Sequence, residues 1–554
     1  MGARKSRTGG QILVDQLIAQ GVVRATCVPG ESYLAVLDAL HDASIDVLVC
    51  RNEGGAAMMA EAEGKLTGRP GICFVTRGPG ATNASAGVHI AKQDSTPMIL
   101  FVGQIDRSMR EREAFQELDY RAVFGTMAKW ATEIDDAKRI PEIVARAFRV
   151  AMQGRPGPVV IALPEDMLTN EVEVADAPRV EPVDPWPAPA DMDRLQAMLG
   201  EAKRPLVILG GSRWNERSRA AMIRFAERFD LPIATSFRRA WLFPADHPNY
   251  AGEVGINPGP RMTARVKDAD LLLLVGARMS EMPSSSYTLL DIPVPQQRVV
   301  HVFPSADELG RVYQPALAIE ASPGAFAASL ERLQPPREIP WKQRSAEARA
   351  DFVDRVEKAR EDLPGDFQAT AAMKWLREKL GRDAITTNGA GNFAVWVHRF
   401  IPLDGDRRNL APTSGSMGYG PPAAVMAKRV HPERTVVCFA GDGDFMMNGQ
   451  EFATAVQYEI PVIIVVLDNA MYGTIRMHQE RDYPNRVSGT RLRNPDFAAY
   501  AVAFGGHGET VHKTAEFGPA FERALASGKP AIIHCFTEQE ALTPDRTMSE
   551  IRGG

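Results

Sequence analysis

The sequence predicts an α/β protein of three doubly wound, parallel-sheet domains, and three observations carry that reading. Short apolar runs ending in glycine-rich turns recur along the chain, separated by helix-like stretches. The runs are continuously hydrophobic rather than alternating, the mark of strands buried on both faces. Two proline-rich, charge-mixed stretches, 171–191 and 334–364, read as linkers that divide the 554 residues into blocks of domain size.

The first block, 1–172, opens with apolar residues at helical spacing over 11–23, and its runs Gly71–Thr76, Pro97–Gly103 and Pro158–Pro164 read as strands. The central block, 190–334, has such runs at Pro205–Gly211 and Asp270–Gly276; the third, 365–540, has them at Thr435–Gly441 and Pro461–Asp468. Ligands of such sheets bind beyond the carboxyl ends of the strands, where these glycines lie. The first and third blocks are candidates for related folds.

A net charge of −5 argues against a polyanion-binding role, so no nucleic-acid partner is expected. No run of 18 apolar residues occurs and no apolar signal core follows the basic start, so neither a membrane partner nor export is expected. Met1–Ser6 fits a loose N-myristoylation pattern, which we read as coincidence. The five cysteines are scattered and form no CxxC pair, which predicts buried free thiols in a reducing compartment, the cytoplasm by default.

The strongest chemical signal is Gly441-Asp442-Gly443-Asp444-Phe445 at one strand end, followed by Asp468-Asn469 at the next. A βαβ unit brings Asp442 and Asn469 to the same sheet edge. Mg²⁺ takes oxygen ligands and keeps phosphates among them, so a carboxylate, an amide and a loop carbonyl suit a Mg–diphosphate complex. The glycines admit the phosphates, and a helix N-terminus supplies N–H donors. Either half alone reads as a turn or a helix cap; the pairing points to function.

These residues resemble the cofactor motif of the thiamine-diphosphate enzymes, the acetolactate synthase, pyruvate oxidase and 2-oxo acid decarboxylase group, over nearly the whole chain. The blocks then correspond to pyrimidine-binding, central and diphosphate-binding domains. The resemblance implies that Asp442, Asn469 and the Met471 carbonyl hold Mg²⁺. It places thiamine diphosphate against Gly391, Asn392, Phe393, Ser416, Met417, Gly441, Gly443, Asp444, Tyr472 and Gly473, with Met417 as the wedge between its two rings. In the first block, Arg51–Glu61 and Gly78-Pro79-Gly80-Ala81-Thr82-Asn83 resemble the activating half of the same site. There Glu53 hydrogen-bonds the aminopyrimidine and promotes the tautomer that deprotonates the thiazolium, while Gly30, Gly80 and Asn83 line the pyrimidine side. Since the two halves come from different subunits in the family, the resemblance predicts a dimer, commonly a dimer of dimers, acting on a 2-oxo acid and a carbonyl acceptor.

The chain departs from acetolactate synthases at several points. Pro29-Gly30-Glu31 replaces Pro-Gly-Gly, so Glu31 is either a proton donor to the intermediate or a loop carboxylate facing water. Asn52 replaces a histidine, Arg77 a small residue and Glu165 a lysine, while His478 stands where a tryptophan shapes the acceptor pocket. Phe115, Gln116 and Lys129 match acceptor-side positions, which favours carboligation over simple decarboxylation. In the central block Gly210-Gly211 and Gly276-Ala277-Arg278 end strands where relatives bind FAD, and Arg155 and Arg278 match arginines near it, but 279–283 depart. FAD and a nucleotide-free structural domain both stay open, and with FAD a flavin-linked oxidase. A cofactor-binding but idle partner subunit is the non-enzymatic alternative.

Overall fold

Three six-stranded sheets, each wholly parallel, form the framework. The computed structural model describes residues 6–358, 360 and 362–553; Met1–Lys5 of the myristoylation pattern lie outside the described residues. The first sheet comprises β1 (Arg24–Cys27), β2 (Asp46–Val49), β3 (Gly71–Val75), β4 (Met98–Gln104), β5 (Trp130–Glu133) and β6 (Pro158–Pro164), in spatial order 2-1-3-4-6-5. The second comprises β7 (Pro205–Leu209), β8 (Ile233–Ser236), β9 (Tyr250–Val254), β10 (Leu271–Val275), β11 (Arg298–Phe303) and β12 (Leu317–Glu320), in order 9-8-7-10-11-12. The third comprises β13 (Ile385–Asn388), β14 (Arg408–Leu410), β15 (Val436–Gly441), β16 (Ile463–Asp468), β17 (His507–Val511) and β18 (Ala531–Phe536), in order 14-13-15-16-18-17.

The first and third sheets therefore share one strand order, which makes them two copies of one topology. The middle sheet has the different order in which each half winds outward from β7 and β10, with its switch point between those two strands. The central strands β4, β10 and β16 are buried at every position, as their unbroken apolar sequences require.

Small residues let the first and third domains approach closely. Helix α1 (Glu53–Thr67) starts at Asn52, whose side chain accepts the Gly54 N–H at 2.8 Å, and ends at Gly68, where φ is +69°. A Cβ at Gly87 in α2 (Pro79–Asp94) would lie 2.4 Å from the Ala57 Cβ, so the α1–α2 crossing admits only hydrogen there. The other side of α1 packs on α5 (Gly420–Val430), and one apolar core runs through both domains from Leu48 and Ala57 to Val425 and Ile464.

The stretch 334–364 is not a plain linker. It contains α3 (Lys342–Glu357), which covers β9 by burying Ala348 and Val356, while Trp341 just before it is fully buried and donates its indole N–H to the Phe229 carbonyl at 2.9 Å. The charge that dominates this helix masked its thin apolar face in the sequence.

Candidate active site

β15 and β16 deliver Asp442 and Asn469 to one edge of the third sheet. A cavity of about 230 Å³ lies there, and its walls include Gly391, Asn392, Phe393, Met417, Gly441, Asp442, Gly443, Asp444, Asn469, Met471, Tyr472 and Gly473. Of the residues expected on the diphosphate side, Ser416 alone stands back from the wall, its hydroxyl 3.0 Å from that of Ser414. Helix α6 (Gly473–Asp482) points its N-terminus into this space, and its Thr474 hydroxyl donates to the Asn392 side chain at 2.9 Å, closing the opposite wall.

Asp442 is 2% exposed, and Asn494 donates one N–H₂ to Asp442 Oδ2 at 2.7 Å and to Asp468 Oδ1 at 2.8 Å. Burial, reinforced by the Asp468 charge, pushes the Asp442 carboxyl up to about 7. Burial opposes ionisation of Asp468 as well, yet hydrogen bonds from His534, the Ala470 N–H and Asn494 hold it below the ordinary carboxylate range. The Phe497 N–H points at His534 Nδ1 at 3.3 Å, so the proton sits on Nε2, which donates to Asp468 Oδ2 at 3.0 Å. A divalent cation beside Asp442 relieves both the desolvation and the carboxylate repulsion. The donors present, one carboxylate, one amide and one backbone carbonyl around a phosphate-sized space, fit a hard ion.

Asp444 has a different role. Its Oδ1 accepts the N–H of Gly418 at 2.9 Å and of Ala390 at 3.2 Å, clamping two cavity loops together, and burial pushes its carboxyl up to about 7. Gly418, at φ +77°, is needed at its end of the clamp because a Cβ there would lie 2.8 Å from Asn448 Nδ2.

The residues expected to activate the cofactor are assembled on the first sheet. Glu53 opens α1, and its Oε2 accepts the Asn83 amide N–H at 3.0 Å. A Cβ on Gly80 would lie 3.3 Å from Glu53 Oε1 and 2.9 Å from Thr76 Cγ2, and one on Gly30 would lie 2.3 Å from Thr76 Cβ, so Gly30, Gly80, Asn83 and Glu53 form one surface. The Asp442 cavity, by contrast, is lined among the described residues only by ones between Leu363 and Leu542. Within one chain the two halves do not share that cavity.

The acceptor-side residues differ from expectation in their surroundings. The Glu31 side chain is 65% exposed and ion-paired to Arg77 at 2.7 Å, so the burial expected of a proton donor is not met within the chain. Gln116 lies against the activating turn: its Cβ is 2.9 Å from where a Gly78 Cβ would stand, and its φ is +66°. Lys129 points elsewhere, donating to the carbonyls of Gln153 and Arg155, and burial lowers its ammonium to about 8. His478 sits on α6, outside the cavity wall, with a buried Nδ1 that has no hydrogen-bond partner among the described residues.

The central sheet offers a dinucleotide switch point between β7 and β10, but side chains occupy it. Arg239, Arg278 and Arg155 donate to the carbonyls of Asp94, Gln93 and Lys92 at 2.9, 2.8 and 2.8 Å, capping the C-terminus of α2. The space left beside Gly211 and Gly276 is about 70 Å³, against the roughly 300 Å³ or more of sites that enclose ligands of drug size. Residues and volume do not fit FAD. A larger cavity of about 370 Å³ separates the central and third domains, with Glu253, Arg238 and His398 in its wall.

Sequence reasoning missed Asn494, His534 and Glu451. Asn494 lies in an Asn-Pro turn that reads as punctuation, and the other two reveal their partners only through contacts across the fold. The five cysteines are free and buried, and no helix among the described residues is long and apolar enough to cross a membrane.

Comparison with known proteins gives matches over most of the chain. Three thiamine pyrophosphate enzyme family models match: the N-terminal TPP binding domain over residues 7–123, the central domain over 192–330 and the C-terminal TPP binding domain over 389–535. Among curated relatives, the acetolactate synthase isozyme 2 large subunit of Escherichia coli is 32% identical over 95% of each chain. The isozyme 1 large subunit of the same organism is 32% identical over 97% of this chain and 95% of its own. A probable acetolactate synthase large subunit of Methanocaldococcus jannaschii is 29% identical over 97% of this chain and 93% of its own.

Proposed function

The chain belongs to the thiamine pyrophosphate enzymes, and from that premise we propose that it is a Mg²⁺-dependent, acetolactate synthase-like carboligase of the cytoplasm. It takes CO₂ from a 2-oxo acid and joins the remaining acyl carbon to a second carbonyl compound. The observation that carries this reading is the pair of half-sites: Glu53 held by Asn83, and the Asp442–Asn469–Met471 donor set around its cavity.

Thiamine diphosphate supplies the electron sink for the bond to the departing carboxyl group. The chain supplies placement. Asp442, Asn469 and the Met471 carbonyl would hold the metal, the N-terminus of α6 would meet the diphosphate, and Glu53 would hold a proton at the aminopyrimidine. Met417, in the cavity wall, would stand between the cofactor's two rings. Gln116, against the Gly78 turn, would face the reacting carbonyls, and His478, on α6 outside the cavity wall, would border the acceptor side.

Because the cavity walls exclude Glu53, the working site takes Glu53 from one copy and Asp442 from another, in a dimer or tetramer. Met446, Met447 and Ile475, each about half exposed beside the metal strand ends, and Phe115, at 73%, supply apolar surface for that contact. The misfit of FAD to the central domain disfavours a flavin-linked oxidase, and the presence of both half-sites disfavours an idle partner subunit.

The test is product identification by mass spectrometry with isotope-labelled 2-oxo acids and a panel of carbonyl acceptors. A labelled acyl group joined to the acceptor is expected. Labelled aldehyde alone identifies a simple decarboxylase, and absence of CO₂ release overturns the reading.

A further inference from the structure

We propose, resting on the carboligase reading above, that the acceptor is a neutral aldehyde rather than a second 2-oxo acid, and that the Glu31–Arg77–Glu165 cluster enforces this choice.

Arg77 follows Thr76 and precedes Gly78, so it stands at the turn that carries Gly80 to Glu53. It is 7% exposed, and each of its three guanidinium nitrogens makes a hydrogen bond. Nη2 donates to Glu31 at 2.7 Å, Nη1 to Glu165 at 3.2 Å and Nε to the Phe115 carbonyl at 3.2 Å. The bond to Phe115 also holds the loop that presents Gln116. A substrate carboxylate is recognised by a guanidinium that presents two adjacent N–H groups to it; each Arg77 nitrogen already donates within the chain, and its charge is met by two carboxylates.

The charge count points the same way. One guanidinium faces two carboxylates, so the cluster carries −1, and the side chains of Glu31 and Glu165 are 65% and 37% exposed where Arg77 is 9%. The outward face is therefore anionic. Two further cations on this edge are also taken: Arg107 pairs with Asp166 at 2.7 Å and Arg110 with Glu133. A second 2-oxo acid brings its carboxylate against like charge, whereas an aldehyde brings none.

The reaction balances without an oxidant or reductant. The bond between carboxyl and carbonyl carbons of the donor breaks and CO₂ leaves. The electron pair left on the carbonyl carbon forms the new bond to the aldehyde carbon. The aldehyde oxygen takes one proton, and the product is a 2-hydroxy ketone.

The experiment uses the full-length protein with thiamine diphosphate and Mg²⁺, and whichever of pyruvate, 2-oxoisovalerate and phenylglyoxylate loses CO₂ fastest. Propanal and 2-oxobutyrate, which differ by the carboxylate, compete as acceptors, and the product ratio is read so that changes in total turnover cancel. Wild type should favour propanal, and the double variant Glu31→Gln/Glu165→Gln should move the ratio toward 2-oxobutyrate by about tenfold or more, because the cluster then carries +1. Glu165→Gln alone should move it in the same direction and serves if the double variant does not fold. A wild-type preference for 2-oxobutyrate, or a ratio unmoved by removing the carboxylates, overturns this inference and leaves carboligation standing. Failure of both acceptors to yield a new C–C bond overturns the carboligase reading and this inference with it.

Discussion

Glu451 Oε1 accepts the backbone N–H of Asn52 at 3.0 Å, tying residues 399 apart in the chain. The same carboxylate accepts the Arg51 N–H at 3.1 Å and the Thr454 hydroxyl at 2.7 Å, and Asn52 in turn caps the helix that begins with Glu53. The third domain thus fixes the residue before Glu53, for which we propose the activating role. Glu451→Ala strands two backbone donors and should destabilise the protein by about 1–3 kcal/mol in thermal or urea unfolding. Gly55→Ala should act in the same direction, since its Cβ would lie 2.6 Å from Glu451 Oε1. Wild-type stability in both variants would show that the tie is incidental.

Glu53→Gln should bind cofactor but exchange the thiazolium C2 proton more slowly, by about 10²–10⁴-fold, the usual range for a lost acid–base group. The Asn83 amide can still bond the glutamine oxygen, so the side chain keeps its place. Deuterium quench with NMR readout measures the rate, and an unchanged rate rules out the assigned role.

Asp442→Ala should abolish Mg²⁺-dependent retention of thiamine diphosphate while the far-ultraviolet circular dichroism stays native. The side chain lines a cavity at a strand end and supports no core packing. Calorimetry with and without Mg²⁺ decides the point, and equal affinities would remove Asp442 from the metal site.

The purified protein should show no flavin absorption, and heat extracts should contain no FAD. Stoichiometric flavin would mean that the arginine caps on α2 rearrange to open the switch point.

Glu253 gives a pH dependence with a definite sign. Burial, against the pull of Arg238, raises its carboxyl from the ordinary 4.5 to about 7, so the folded chain binds this proton more tightly than the unfolded one. Its stabilising contribution is complete below about pH 4.5 and is lost as pH rises to about 7, by at most about 3 kcal/mol. Glu253→Gln should therefore flatten the fall in melting temperature across that window. Parallel wild-type and variant curves would contradict the shift.

The amino-acid sequence by itself determined the local and chemical parts of this protein. Unbroken apolar runs specified buried parallel strands, glycine turns marked their carboxyl ends, and Gly441–Phe445 with Asn469 pointed to a sheet edge at which the structure places a cavity, because strand period and ligand chemistry are written in neighbouring residues. Only the tertiary structure decided the rest. The common strand order of the first and third sheets, the helix within 334–364, the arginines filling the central switch point and the salt bridges that consume Arg77 all depend on groups distant in the chain. Arg155 and Arg278 look the same in sequence whether they serve a nucleotide or cap α2, and Glu31 looks the same alone or paired. The partner settles the role of a charged side chain, and the partner is set by the fold.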